Sequence, residues 1–177
     1  MNTVTKLSRV LPALLVFGVQ WQLAQAQIPG AGAVNEDDDK FLRTASTTAL
    51  LEVQLAKLAQ ERGSRPEVRA VGKQLTDAHS AMNTGLREMA GRKGVALPSS
   101  LDGNQQKVVD DISKLTGTAF DSAFLDAMAK AHQKDADEFG NAASNAADPG
   151  LKGFAQKSLP TIKAHLARVQ ALQKGGR

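Results

Sequence analysis

Between Phe41 and Leu172 the apolar residues return at helical spacing, and each break in the pattern is helix punctuation. Leu42, Ala45, Ala49, Ala56 and Ala59 share a face, with Leu51, Leu55 and Leu58 beside them. Asp37-Asp38-Asp39 precede this run, where a helix N-terminus favours anions. Gly63 supplies a stop, and Ser64-Arg65-Pro66-Glu67 reads as a new start with capping-box spacing. The second helix is expected to run to about Lys93, before Gly94. A connector containing Pro98 follows, then a short helix from about Asp102 to Leu115. A third long helix is expected from about Thr118 to Ala146, and Asp148-Pro149 opens a fourth that frays at Gly175-Gly176. No stretch alternates like a strand, so the fold class is all-α.

The pattern repeats. A shift of 83 positions lays Phe41-Leu42 on Phe124-Leu125, Pro66 on Pro149, and Leu86 and Met89 on Val169 and Leu172. One helical hairpin is used twice, joined by the connector that carries the short helix. Two antiparallel helical hairpins with a long crossover build a ferritin-like four-helix bundle, here with a short extra helix in the crossover. Its inward stripes should include Leu42, Val71, Leu75, Phe124, Met128, Phe154, Ile162 and Val169.

Residues 1–26 have the three parts of an export signal. Lys6 and Arg9 make a basic start, Val10 to Val19 is mostly apolar and too short for a membrane anchor, and Ala24-Gln25-Ala26 is a small-x-small cleavage site. Residues 27–37 are expected to be a flexible leader, and 38–175 the bundle domain. There is no cysteine, hence no disulfide and no acylatable thiol, and the expectation is a periplasmic protein without a membrane anchor after cleavage. Of 22 Lys and Arg two leave with the signal, so 20 cations face 18 anions, interspersed along the chain. With no basic block and no tyrosine, and with the single tryptophan, Trp21, in the signal, no nucleic-acid partner is expected. The alanine-rich faces at Ala142-Ala143 and Ala146-Ala147 would admit a homo-oligomer contact, and the sequence names no other protein partner.

All three histidines lie on apolar helix faces, one on each of three helices. His79 sits among Val71, Leu75, Met82 and Leu86, His132 among Leu125, Met128 and Phe139, and His165 among Ile162, Val169 and Leu172. With about a third of a helix facing inward, chance gives this roughly once in 27. An imidazole without water needs partners for its nitrogens, and it is the commonest metal ligand. Glu52 lies 14 residues before Pro66 and His79 13 after it, while His132 and His165 lie 17 before and 16 after Pro149. Each pair shares a depth, and the two depths should differ by roughly 6–8 Å. Asp135 is the repeat equivalent of Glu52. The metal candidates are therefore Glu52, His79, His132 and His165, with Asp135, Met82 and Met128 secondary. Such a set suits a single transition-metal ion: zinc, copper or iron. A carboxylate-bridged di-iron site needs Glu-x-x-His pairs, but Thr76, Ala129 and Ile162 stand three before the histidines. No nucleophile elbow, phosphate loop or dinucleotide fingerprint is present, so no catalytic residue is assigned. Pro160, five residues before His165, bends the last helix; such a bend aims His165 or only follows the core.

Phe41-Leu42, Leu51-Glu52-Val53, Pro66-Glu67-Val68, Asp77-Ala78-His79, Ala131-His132, and Leu159-Pro160 through His165-Leu166 resemble the pattern of a bacterial secreted family, domain of unknown function 4142. The resemblance covers nearly the whole chain after the signal. It implies a ferritin-like periplasmic bundle and no reaction. Three classes of function follow: a bundle that binds or buffers a metal, a structural or interaction protein of the cell envelope linked to stress with a polar core network, or a redox enzyme, which the missing ligands disfavour. Intact-mass measurement of the periplasmic protein should give an N-terminus at Gln27 and no indole emission, because Trp21 is gone. An N-terminus at Met1 in that fraction would overturn the export expectation.

Overall fold

The computed structural model describes residues 34–175, so the expected signal and most of the leader lie outside the described residues. Within them are five helices and no strand: α1 (Glu36–Arg62), α2 (Pro66–Lys93), α3 (Gly103–Ser113), α4 (Gly117–Asn145) and α5 (Pro149–Lys174). The caps explain most of these limits. Asn35 accepts a hydrogen bond from the Asp37 N–H, which draws Glu36 and Asp37 into α1 and ends the leader earlier than expected. Asp102 and Gln105 form a capping box on α3, and Asp148 accepts from the Leu151 N–H with Pro149 at the first position of α5. Gly94 ends α2 with φ of 69°, a left-handed conformation that favours glycine.

The expected cap at Ser64 is not made. Arg65 occupies that position without a side-chain cap bond, and Ser64 turns to Asp121 instead. Asp121, near the start of α4, accepts from the Ser64 N–H at 2.8 Å, the Ser64 hydroxyl at 2.6 Å and the Arg65 N–H at 3.1 Å. Asp38, near the start of α1, does the same for the other turn, accepting from the Ala147 and Asp148 N–H groups at 3.1 and 2.8 Å. Asp38 and Asp121 are 83 residues apart, as are the turns they hold. The turns match in conformation too: Gly63 has φ and ψ of −55° and 131°, Ala146 −53° and 132°. Each hairpin therefore clamps the turn of the other, with α1 antiparallel to α4.

α1 packs mainly on α2 and α4 on α5, leaving an α1–α4 seam and an α2–α5 seam between the hairpins. Gly72 allows the close approach of α1 and α2, since a Cβ there would stand 2.6 Å from the Gln60 nitrogen. The crossover is tied to α1 at both ends. Arg43 donates to the Ala96 carbonyl, and Arg62 donates to the Ser113 and Leu115 carbonyls while lying over the Phe120 ring. Val109 and Ile112 of α3 enter the core.

That core comes in two parts. The upper cluster, toward the α1–α2 turn, contains Leu55, Val71, Leu75, Phe120, Phe124, Met128 and Val169. The lower cluster contains Leu42, Met82, Leu86, Phe139, Leu151 and Ile162. The expected inward stripes are buried with one correction: Phe154 is only partly buried. Its ring rests on Gly85, where a Cβ would lie 2.9 Å from it, and so sits at the rim. Pro160 is exposed, and so is Gln156, whose carbonyl it leaves without a helix partner. No described helix is long and apolar enough to cross a membrane.

The two clamps generate a test. Asp38→Ala and Asp121→Ala should each lower stability by about 1–3 kcal/mol in denaturant titrations, because each removes a carboxylate that accepts from two part-buried turn N–H groups. The losses should add, since the residues hold opposite ends of the bundle. Unchanged stability in both variants would refute the clamps.

Candidate metal centre

Between the two apolar clusters lies a layer of five ionisable side chains. Glu52 of α1, His79 of α2 and His132 of α4 have no exposure; Asp135 of α4 is 1% exposed and His165 of α5 is 4% exposed. Every long helix contributes. The ligand atoms converge across the two depths expected from counting, and the clamps at Asp38 and Asp121 hold the hairpins in that register. One ligand atom from each of His79, His132 and His165 lies within 4.8 Å of the others, and the same holds for Glu52, His79 and Asp135.

The contacts are close but poorly aligned. The Glu52 carboxylate oxygens stand 2.8 Å from His79 Nδ1 and 3.0 Å from His132 Nδ1. Neither oxygen has a hydrogen-bond partner of good geometry, and His79 Nδ1, His165 Nδ1 and Asp135 Oδ1 also lack one. Buried polar atoms left in this way cost about 1–3 kcal/mol each. His132 Nδ1 lies 2.9 Å from the Met128 carbonyl one turn earlier. In the tautomer that donates there, His132 presents the lone pair of Nε2 inward, 3.1 Å from His79 Nε2. Two ligands at the corners of a tetrahedron with bonds of about 2.0–2.1 Å stand about 3.3 Å apart. The pair therefore fits around one ion.

Burial sets the charge of the layer. It pushes the Glu52 carboxyl up to about 8, with the Asp135 side chain acting the other way. Burial raises Asp135 well above the ordinary carboxylate range, reinforced by the charges of Glu52 and Glu138. The imidazoles move down, to about 4 for His79 by burial, about 3 for His132 by burial and His79, and about 4 for His165 by burial and His79. At neutral pH the metal-free layer thus holds neutral imidazoles and a protonated Glu52, with Asp135 shifted in the same direction. Neutral imidazole is the ligand form.

All four principal candidates meet here, and Asp135, placed second in the sequence, stands among them. The 83-residue shift that lays it on Glu52 was the signal for it. The methionines sit to either side, Met82 in the lower apolar cluster and Met128 in the upper, where Met128 acts on His132 through its backbone. Sequence reasoning missed a polar pair nearby, in which the buried Ser46 hydroxyl donates to Asn83 at 2.9 Å. It also missed both clamp aspartates.

A pH optimum follows for chelator-treated protein. Below 6.5 the unfolded chain takes up protons at three histidines that stay neutral in the fold, so stability falls as pH drops. Glu52 acts oppositely: folded, it keeps a proton the unfolded chain has lost, so its contribution fades as pH rises from 4.5 toward about 8, and the raised Asp135 works in the same direction. Three histidines outweigh two acids below 6.5, and the acids act alone above it. Thermal unfolding should therefore peak near pH 6.5, and Glu52→Gln should flatten the alkaline side. A melting temperature still rising at pH 8 would contradict this charge assignment.

Two solved structures share the architecture. A crystal structure of a DUF305 fragment from Deinococcus radiodurans aligns with a TM-score of 0.70 at 15% identity, covering 80% of this chain and 97% of that one. CopM in its Cu(I)-bound form aligns with a TM-score of 0.66 at 14% identity, covering 78% and 96%. At such identities the likeness is one of fold. No curated protein matches the chain. The family described as "Domain of unknown function (DUF4142)" matches residues 23–172, and the chain belongs to it.

Proposed function

We propose that the buried layer binds one transition-metal ion, held by His79, His132 and His165 with a carboxylate from Glu52 or Asp135, in a bundle exported to the periplasm. The observation that carries this reading is the convergence of five buried side chains, four of which, Glu52, His79, Asp135 and His165, keep a polar atom without a partner of good geometry. Charge supports it as well. A divalent ion beside two ionised carboxylates and three neutral imidazoles leaves the layer neutral, which a low-dielectric site requires. Zinc, copper and iron suit the ligand types. The fold likeness to CopM, a protein solved with Cu(I), points in the same direction. The family is one of unknown function and adds no reaction. Metal binding or buffering asks nothing further of this layer, whereas redox catalysis at a di-iron centre would need Glu-x-x-His pairs that the sequence lacks. Export rests on the basic start, apolar stretch and small-x-small site within residues 1–26.

A second reading has one observation in its favour. With every member neutral, the hydrogen bonds from His132 to His79 at 3.1 Å and to the Met128 carbonyl at 2.9 Å are the start of a polar network that fixes the bundle's register. The protein would then be a structural component of the envelope.

Elemental analysis of untagged protein from the periplasm separates the two. One equivalent of metal is expected, lost in the triple variant His79→Ala, His132→Ala, His165→Ala. Glu52→Gln should weaken binding by about 10–100-fold whether Glu52 ligates the ion or orients a histidine. Uptake at pH 7 should also release protons into a weakly buffered solution, because Glu52 keeps its proton up to about 8 until a cation displaces it. Wild-type protein that arrives metal-free and takes up no zinc, copper or iron would leave only the packing role.

A further inference from the structure

The α1–α4 seam carries polar residues where packing alone would call for apolar ones. On α1, Thr44, Thr48 and Glu52 follow one another at four-residue spacing; on α4, Asp135, Glu138, Asn141 and Asn145 recur at spacings of three and four. Such spacings keep each row on one helix face. At the outer end the rows open into a groove of about 370 Å³ lined by Asp37, Phe41, Thr44, Glu138, Asn141 and Asn145. Glu138 stands between this groove and the layer, one turn from Asp135. Its Oε1 lies 3.6 Å from the Lys134 ammonium, while Oε2 is buried with no hydrogen-bond partner. Asp135, 1% exposed, also has an unpartnered oxygen and lies within ligand distance of Glu52 and His79. Thr48, 5% exposed, separates Thr44 from Glu52 on the facing helix. The row of carboxylates Glu138, Asp135, Glu52 thus begins at solvent and ends inside.

We propose that the α1–α4 seam is the path by which a metal cation reaches the buried layer, with Glu138 holding the ion transiently between the groove and Asp135. This rests on the metal-binding reading of the layer. An ion passing between apolar clusters without oxygen donors would have to shed its water uncompensated. Along this seam each carboxylate replaces part of the hydration shell before the next is reached. Lys40 lines the groove and Lys134 pairs with Glu138, but Asp37, Asp38 and Glu138 outnumber the two, so the mouth attracts cations.

The test measures exchange rates on the chelator-treated full chain, with Zn²⁺ delivered from a weak chromophoric chelator and later withdrawn by a strong one. Glu138→Gln should slow both uptake and release by about tenfold or more, leaving stoichiometry and affinity unchanged, since a path alters both directions equally. Glu88→Gln removes the same charge from an exposed face of α2 and should exchange like wild type. Wild-type rates in Glu138→Gln would overturn the path. Weakened affinity with unslowed uptake would make Glu138 a resident ligand and overturn it as well. Failure of wild-type protein to take up zinc, copper or iron would overturn the reading beneath the proposal rather than the path alone.

Discussion

A carboxyl group sealed from water, Glu52, stands between two imidazoles at the centre of the bundle, and the surrounding architecture answers the cost of keeping it there. Its ion-pair neighbours are both histidines, themselves driven toward neutrality by burial. Nothing in that set supplies a fixed positive charge. The layer is therefore electrically adjustable: protons neutralise it, and a bound cation would neutralise it in another way. Lysine or arginine in the same place would have frozen one charge state.

The layer exists as one layer because of two aspartates at the opposite ends of the molecule. Asp38 and Asp121 hold the turn of the other hairpin and so fix how far one hairpin slides along its partner. At Asp121 burial alone would raise the carboxyl, but the donors of Ser64 and Arg65 prevail and hold it low. A slip of one turn, about 5.4 Å, would part Glu52 from Asp135. The internal repeat brings these two acids face to face, yet the repeat partners of the histidines are Ile162 for His79, Ala49 for His132 and Met82 for His165. The scaffold is symmetric, and its chemistry lies where the halves diverged.

Helices, turns and the doubling of the hairpin were legible because each is written locally: spacing of three and four, Pro66 and Pro149 at helix starts, Gly94 after a helix end. The convergence of Glu52 with three histidines could be read from counting along each helix, since depth is nearly additive in a rigid rod. What counting could not give was the offset between hairpins, which depends on long-range bonds from Asp38 and Asp121. Ser64 misled for the same reason. Its local spacing fits a cap, and a carboxylate from a helix 57 residues away competes for its hydroxyl and wins. Phe154 has the period of a core residue, but the space above Gly85 draws it to the rim.

The polar layer also divides the apolar interior into two slabs, one around Phe120 and Phe124 and one around Phe139 and Leu151. Few dispersion contacts cross a plane made of carboxyls and imidazoles, so the mechanical link between the slabs passes through the four helix backbones and through whatever joins the five side chains. The cooperativity of the whole molecule is thereby delegated to its centre. With the layer bound together, the slabs should lose structure as a single unit; with it loosened, each end should open more readily on its own. The chemical state of five residues then sets the size of the unit that unfolds.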